Sequence, residues 1–374
     1  MKMRCLDFES LSKDIQNNNN KIVMFGAGVV GGIIAPQILN RYEILSYVDC
    51  YIDNDSTRWG SKLKICGREI QINSPKYLDE CDSNTVIMLN ISRYSGALDQ
   101  LRNMSATQNM ICYIFPMLCV HNYCLSESHG EAKLTKSPII PKKIHYMWLG
   151  RKQLPDNLKR CIDSWRRYCP DYEIIEWNED NYDIDKNIYM KEAYQVGGYG
   201  FVPDYARLDI LYNHGGIYMD TDEELFRSLD DMLYQEAFCG VEKWQDISFG
   251  ACAGAVPGHP MIKKFLDARK NMHFVNPDGS YNKNTCGFYD TPTALEEGYL
   301  VNGRTQSVKG LNIYGYDYFV PYDYMTGTCN RTNNTYSVHW YNGGWLDEEK
   351  RVENEKTASK YEKIYNMCIN GAVI

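Results

Sequence analysis

Asp220 and Asp222 stand one residue apart at the end of GGIYMDTD (215–222), a short β-prone run that starts from two glycines. On a strand, residues i and i+2 project to the same side, so the two carboxylates converge if the extended geometry persists. Carboxylates that close repel each other unless a cation or a shared proton compensates. Hard oxygen ligands in small number suit Mg²⁺ or Mn²⁺ bridged to a diphosphate. Upstream, in FVPDYARLDILYNHG, Asp204 and Arg207 are three apart and share one face of a predicted helix that leads into the acidic strand end. A guanidinium there serves either as the structural counter-ion of the carboxylates or as the holder of a phosphate or sugar hydroxyl. An Asp-x-Asp triplet alone is also what a solvated loop looks like. Its neighbours give it weight.

The elements around these residues alternate. KKIHYMWLG is strand-like, DNLKRCIDSWRRY is amphipathic at a helical period, YEIIEW is strand-like again, and the helix carrying Asp204 and Arg207 follows. This order predicts an α/β domain with a mainly parallel sheet, whose strand C-termini form the edge where ligands bind. The C-terminal third adds short Tyr-rich strands and a closing helix near 356–370.

A second α/β pattern precedes it. KIVMFGAGVVGGIIAPQILN runs from an apolar strand through Gly26, Gly28 and Gly31 into a helix, and a second strand ends at Asp53, about where a dinucleotide site places its ribose-binding acid. TVIMLN and MICYIF supply further strands. The readings for Gly26, Gly28, Gly31 and Asp53 are a bound nucleotide or a purely structural turn. Residues 126–140 lose periodicity and gain Ser, Lys, Glu and His. The expected organisation is therefore a Rossmann-like domain over 1–125, a linker over 126–140 and a second domain over 141–374.

Composition narrows the function. The 374 residues are 44% hydrophobic and carry a formal charge of -8, with no cluster of Lys and Arg, which argues against nucleic acid as a partner. The first residues, MKMRCLDFESLSKDIQ, lack the apolar core of a signal peptide, and no run approaches the roughly 20 apolar residues that span a bilayer. A cytoplasmic chain is expected. The 14 cysteines are scattered without Cys-x-x-Cys spacing, as expected of reduced thiols.

IPKKIHYMWLG, DSWRRYCPDYEIIEWNEDN, DYARLDILYNHGGIYMDTD, PGHP and VHWYNGGWL occur in this order between about 141 and 350. Together they resemble glycosyltransferase family 32, which includes initiation-specific mannosyltransferases and, more distantly, glucosylating toxin catalytic domains. The resemblance implies a GT-A fold, a UDP- or GDP-sugar donor, Mn²⁺ or Mg²⁺, and transfer with retention of configuration. It assigns Trp148 to stacking on the donor base and Asn178 to the nucleoside. Asp204 and Arg207 hold the donor sugar and its phosphate side, Asp220 sits against ribose and sugar or binds the metal through water, and Asp222 is the direct metal ligand. Tyr218 is either a core residue or a ribose contact, His339 is a further metal or diphosphate ligand or a structural histidine, and Trp345 is a wall over the donor. Two positions depart from the family pattern: Trp340 replaces a frequent second histidine, and Gly344 stands where Ser is common, leaving Asn342 or water to complete the coordination.

The first domain resembles small Rossmann-like domains found beside sugar-modifying enzymes of polysaccharide clusters. The whole implies a transferase that builds capsular or surface polysaccharide on a glycan or lipid-linked glycan acceptor, the latter bringing the chain peripherally to the inner face of the membrane. The competing readings are a nucleotide-sugar oxidoreductase or epimerase, for which the N-terminal half lacks a Tyr-x-x-x-Lys dyad, a nucleotide-sugar-binding or scaffolding protein, and a toxin-like protein glycosyltransferase.

Overall fold

The computed structural model describes all residues except 92–93, 126–130, 244, 325–326, 343–347 and 371–374. The chain divides into two compact units: Met1–Glu127 with Met325–Gly327 and Asn354–Ile374, and Ser128–Tyr324 with Thr328–Glu353. Both are α/β, the first Rossmann-like and the second GT-A-like, as the sequence leads one to expect.

The first unit is built on seven strands: β1 (Lys2–Arg4), β2 (Lys21–Phe25), β3 (Val48–Ile52), β4 (Lys62–Ile65), β5 (Arg68–Asn73), β6 (Thr85–Leu89) and β7 (Ile111–Ile114). Their order is β1-β7-β6-β2-β3-β5-β4, parallel throughout except for the β4–β5 hairpin. β2 and β6 are buried almost end to end, which is why KIVMF and TVIML read as continuous apolar runs. The chain leaves β2 to one side for β3 and returns on the other for β6, so the carboxyl end of β2 is a topological switch point.

The closing helix, Glu348–Ile369, was expected to belong wholly to the second domain, but its last part is built into the first unit. Tyr361, Ile364 and Cys368 form its buried stripe. The Tyr361 ring lies 4.3 Å from that of Tyr94, and its hydroxyl accepts the Ser95 N–H at 3.1 Å. Lys360 pairs with Asp99 at 3.0 Å. Part of the expected linker likewise joins a unit. The backbone of Thr135 and Ile139 donates to Tyr234 and Leu233 at 2.6 and 2.8 Å, and Lys133 exchanges two hydrogen bonds with the Asn312 side chain.

The second unit holds an eight-stranded mixed sheet. Its strands are β8 (Lys143–Met147), β9 (Glu173–Trp177), β10 (Gly216–Met219), β12 (Ala237–Val241), β13 (Ile247–Ser248), β14 (Cys252–Ala255), β15 (Gln306–Val308) and β16 (Leu311–Tyr314); β11 (Glu223–Leu225) lies outside it. The order is β15-β16-β12-β14-β10-β8-β9, with β13 beside β12. β9, β8 and β10 run parallel and β14 antiparallel to β10. β12 is antiparallel to β14 and so runs with β10. The carboxyl ends of β8, β10 and β12 therefore share one edge. β11 pairs instead with the strand Ser337–His339, placing Glu223 opposite His339.

Candidate active site

Two glycines fix where β10 begins and hence where it ends. Gly215 closes the helix Pro203–His214 at φ +62°, and a Cβ there would stand 2.6 Å from Pro257 Cδ. Gly216, at φ +91°, would place one 2.9 Å from both His145 Nε2 and the Lys143 carbonyl. Only glycine fits both the conformation and the space. His145, fully buried, donates from Nε2 to the Gly215 carbonyl at 2.9 Å and accepts the Trp177 indole N–H on Nδ1 at 3.1 Å. Burial lowers its pKa to about 4, so it is neutral.

Beyond β10, Asp220 meets the helix that precedes it. Arg207 Nη2 lies 3.3 Å from Asp204 Oδ1 and 3.3 Å from each oxygen of Asp220. The guanidinium is buried over the ring of the fully buried Tyr218, 5.6 Å from its centroid. Burial opposes its charge, yet Asp220 and Asp204 hold it well above the usual arginine value. Burial raises the Asp204 carboxyl to about 6 against the pull of Arg207. Arg207 Nε is buried without a partner. Gly250, invisible to motif reading, makes the pair possible. A Cβ there would stand 2.6 Å from Asp220 Oδ2 and 2.8 Å from Arg207 Nη1, and its carbonyl accepts the Asp220 N–H at 3.0 Å.

Asp222 turns to a different cation. Its Oδ1 lies 3.2 Å from His339 Nε2, and its Oδ2 accepts the Asn342 N–H at 2.8 Å. Burial alone would lower the His339 pKa, but the charge and hydrogen bond of Asp222 raise it to about 9. Burial raises the Asp222 carboxyl, and His339 more than offsets this to lower it. The ladder of β11 with Ser337–His339 makes this contact between residues 117 positions apart. Behind it, Glu223 is fully buried with no hydrogen-bond partner for either oxygen, and burial raises it to about 8.

Each aspartate of the triplet thus has its own counter-cation, Arg207 for Asp220 and His339 for Asp222. His339 nonetheless interacts electrostatically with both Asp220 and Asp222, so the three residues expected to hold the metal lie near one another without sharing one hydrogen bond. Among the described residues no three His, Cys, Asp or Glu groups are arranged to hold an ion. In donor type the residues do fit one: carboxylate oxygen and imidazole are Mn²⁺ ligands, and His339 Nδ1 is buried with no partner.

Trp148 follows β8 at the same edge as Asp220. It is partly buried, its indole donating to the Lys152 carbonyl at 2.6 Å, and Gly150 in the same turn donates to Glu179 at 2.7 Å. Asn178 is not a free nucleoside contact. Its N–H donates to Asn181 Oδ1, its Oδ1 accepts from Asp180 N, and its Nδ2 donates to Glu176, so the turn it builds uses all three groups. Tyr218 is fully buried beneath Arg207 and is a core residue. Trp345 and Gly344 lie outside the described residues. Glu242, not singled out from the sequence, follows β12 at the same edge, and burial raises it to about 7.

In the first unit, Gly26, Gly28, Gly31 and Asp53 do come together. Gly26 has φ +100°, and a Cβ on Gly31 would stand 1.9 Å from the Gly26 carbonyl, so the helix start is pressed onto the strand end. Asp53 accepts the N–H of Ala27 at 2.8 Å and of Asp55 at 2.9 Å. Its carboxylate therefore braces the loop instead of standing free for a ribose.

Residues 155–239, which contain Asp204, Arg207, Asp220 and Asp222, match the family described as "Glycosyltransferase sugar-binding region containing DXD motif". The inositol phosphoceramide mannosyltransferase 3 of Schizosaccharomyces pombe is 31% identical over 142 residues, 35% of this chain and 38% of its own. A mannosyl phosphorylinositol ceramide synthase of Saccharomyces cerevisiae is 27% identical over 186 residues, 45% of this chain and 46% of its own. The subversion of eukaryotic traffic protein A of Legionella pneumophila is 24% identical over 183 residues, 41% and 28% respectively. The match spans less than half the length of each of these relatives. The segment that runs through β10 to Asp220 and Asp222 is thus similar to the sugar-binding region of DXD-containing glycosyltransferases.

Proposed function

We propose that the chain is a metal-dependent, retaining glycosyltransferase that moves a sugar from a UDP- or GDP-sugar to a glycan acceptor, free or carried on lipid, in building a surface polysaccharide. The observation that carries this reading is the pairing of Arg207 with Asp204 and Asp220 and of Asp222 with His339 at one sheet edge, with all of these residues except His339 inside the matched region. Arg207, charged and fixed, orients Asp204 and Asp220 toward the donor and stabilises negative charge on the departing diphosphate. Asp222 and His339 are the residues that would hold Mn²⁺, which when bound supplies further charge neutralisation to the leaving group. Trp148 offers a partly exposed indole to the base at the end of β8. Retention leaves the acceptor proton to the leaving phosphate on the same face.

The relatives' names include mannosyltransferases that act on inositol phosphoceramide, which supports a mannosyl donor and an acceptor at a membrane surface. We place the chain in the cytoplasm, at the inner face of the membrane. No helix among the described residues is long and apolar enough to cross a membrane. The test is a donor-hydrolysis screen across UDP- and GDP-sugars with Mn²⁺ and with EDTA. One donor is expected to be hydrolysed only with the metal, and inertness towards all of them would refute the reading.

A further inference from the structure

The first unit has a strand-end edge that sugar transfer in the second does not use. It lies at the switch point past β2, bounded by the glycine turn, the segment after β3 and the end of β6. The turn is braced from one side: Asp53 holds Ala27 N–H, and Arg58 Nη1 donates to the Ala27 carbonyl at 2.9 Å. Gly28 at its tip is exposed, and a Cβ added there would meet nothing within 4 Å. The space over the turn is therefore open, at the start of the helical segment that runs on to Arg41.

Two independent observations point to a ligand. Asn90, which begins the segment after β6, donates its N–H to the Phe25 carbonyl at 2.8 Å and so sits beside Gly26. It is 3% exposed, its Nδ2 is tied back to the Met88 carbonyl at 2.9 Å, and its Oδ1 has no partner. A buried amide oxygen left unpaired is costly unless something else supplies the donor. Trp59 is the second. It is 45% exposed, yet its indole N–H is fixed to the Asp53 carbonyl at 2.7 Å. A large aromatic ring held rigid in solvent beside an anion-binding turn is a stacking platform.

We infer that the first unit binds a nucleoside phosphate, with the base stacked on Trp59 and the phosphate over Gly28 beside Arg58. The glycine turn supplies backbone N–H groups and the favourable end of the helix dipole, and Arg58, whose Nε pairs with Asp55 at 3.3 Å, has its Nη2 left to meet the phosphate. Asp53 positions the turn instead of holding the ribose. The site is independent of the transfer reaction proposed for the second unit.

The experiment is calorimetric titration of the full-length protein with ADP, UDP and NAD in EDTA, which removes the metal the donor site is proposed to use. The wild type is compared with Trp59→Ala, Gly28→Asp and Asp222→Ala. Gly28→Asp points into open space and Trp59→Ala removes a half-exposed ring with one hydrogen bond to the Asp53 carbonyl, so their melting temperatures should stay within a few degrees of the wild type. At least one probe is expected to bind at a stoichiometry of one, and Trp59→Ala to weaken it about tenfold or more, the loss of one base stack. Gly28→Asp, which adds a carboxylate where the phosphate would lie, is expected to weaken it at least as much, and Asp222→Ala to bind as the wild type does. Absence of binding by all three probes would overturn the proposal. So would binding that ignores the changes at Trp59 and Gly28, or binding lost in Asp222→Ala.

Discussion

Arg207 and His339 answer the electrostatic problem that two aspartates at a strand end pose. Repulsion between Asp220 and Asp222 is relieved within the protein, one guanidinium serving the first and one imidazolium the second. A divalent ion is thus not needed to make the strand end tolerable, and its proposed place is with Asp222, whose present partner is a titratable histidine. Asp222→Ala is accordingly expected to cut Mn²⁺-dependent donor hydrolysis by ~10³-fold while leaving the melting temperature within a few degrees. Undiminished hydrolysis in that variant would remove the metal role. Gly250→Ala tests the other half. Its methyl would intrude on both Asp220 and Arg207, so donor hydrolysis should fall about tenfold or more, with an overpacking cost of about 1–3 kcal/mol by urea unfolding. Asp204, Arg207 and Asp220 were legible in the sequence because a helix period and the end of an apolar strand bring them together, whereas the extended geometry stops at Met219 and a turn, closed by the Glu223 N–H on the Asp220 carbonyl at 3.0 Å, sends Asp222 to His339. Gly250 was not, because its contribution is empty volume. His339 was visible only through family resemblance, since its bond to Asp222 crosses 117 positions. Asn178 builds an Asx turn, which takes the same residue type as a ligand contact.

At the scale of elements, the tight entry to β10 controls the register of everything after it. His145 is part of that entry. In the folded chain its pKa is lowered to about 4, whereas an unfolded histidine titrates near 6.5. Between these values the unfolded state binds more protons, so the His145 contribution to stability is fully present above about 6.5 and is lost as pH falls towards 4. The amount is on the order of 3 kcal/mol. Urea midpoints measured at pH 7.5 and 4.5 should therefore converge more closely in His145→Gln than in the wild type. An equal pH dependence in both would show that the imidazole does not carry the effect. The strands β2, β6 and β8 could be read from sequence because sheets covered on both faces make unbroken apolar runs. β11 could not. It has three residues, EEL, of which the first is a buried acid, and no apolar period marks it.

At the scale of the whole molecule, the order of the chain and the membership of the units part company. The division after Glu127 falls where the loss of periodicity had suggested, but Asn354–Ile374 returns to the first unit. Sequence shows that Tyr361, Ile364 and Cys368 share a face but not which surface covers it, because that choice is made by a partner some 260 residues upstream, Tyr94 with Ser95. Tyr361→Ala removes a side chain that is 2% exposed and stacked against Tyr94. The expected cost is about 3 kcal/mol, borne by the first unit, which has its own core. In hydrogen exchange followed by mass spectrometry, protection should fall in β2, β6 and β7 and hold in β8, β10 and β14. Loss of protection spread evenly over both sets of strands would mean that the closing helix from Asn354 onward does not belong to the first unit alone.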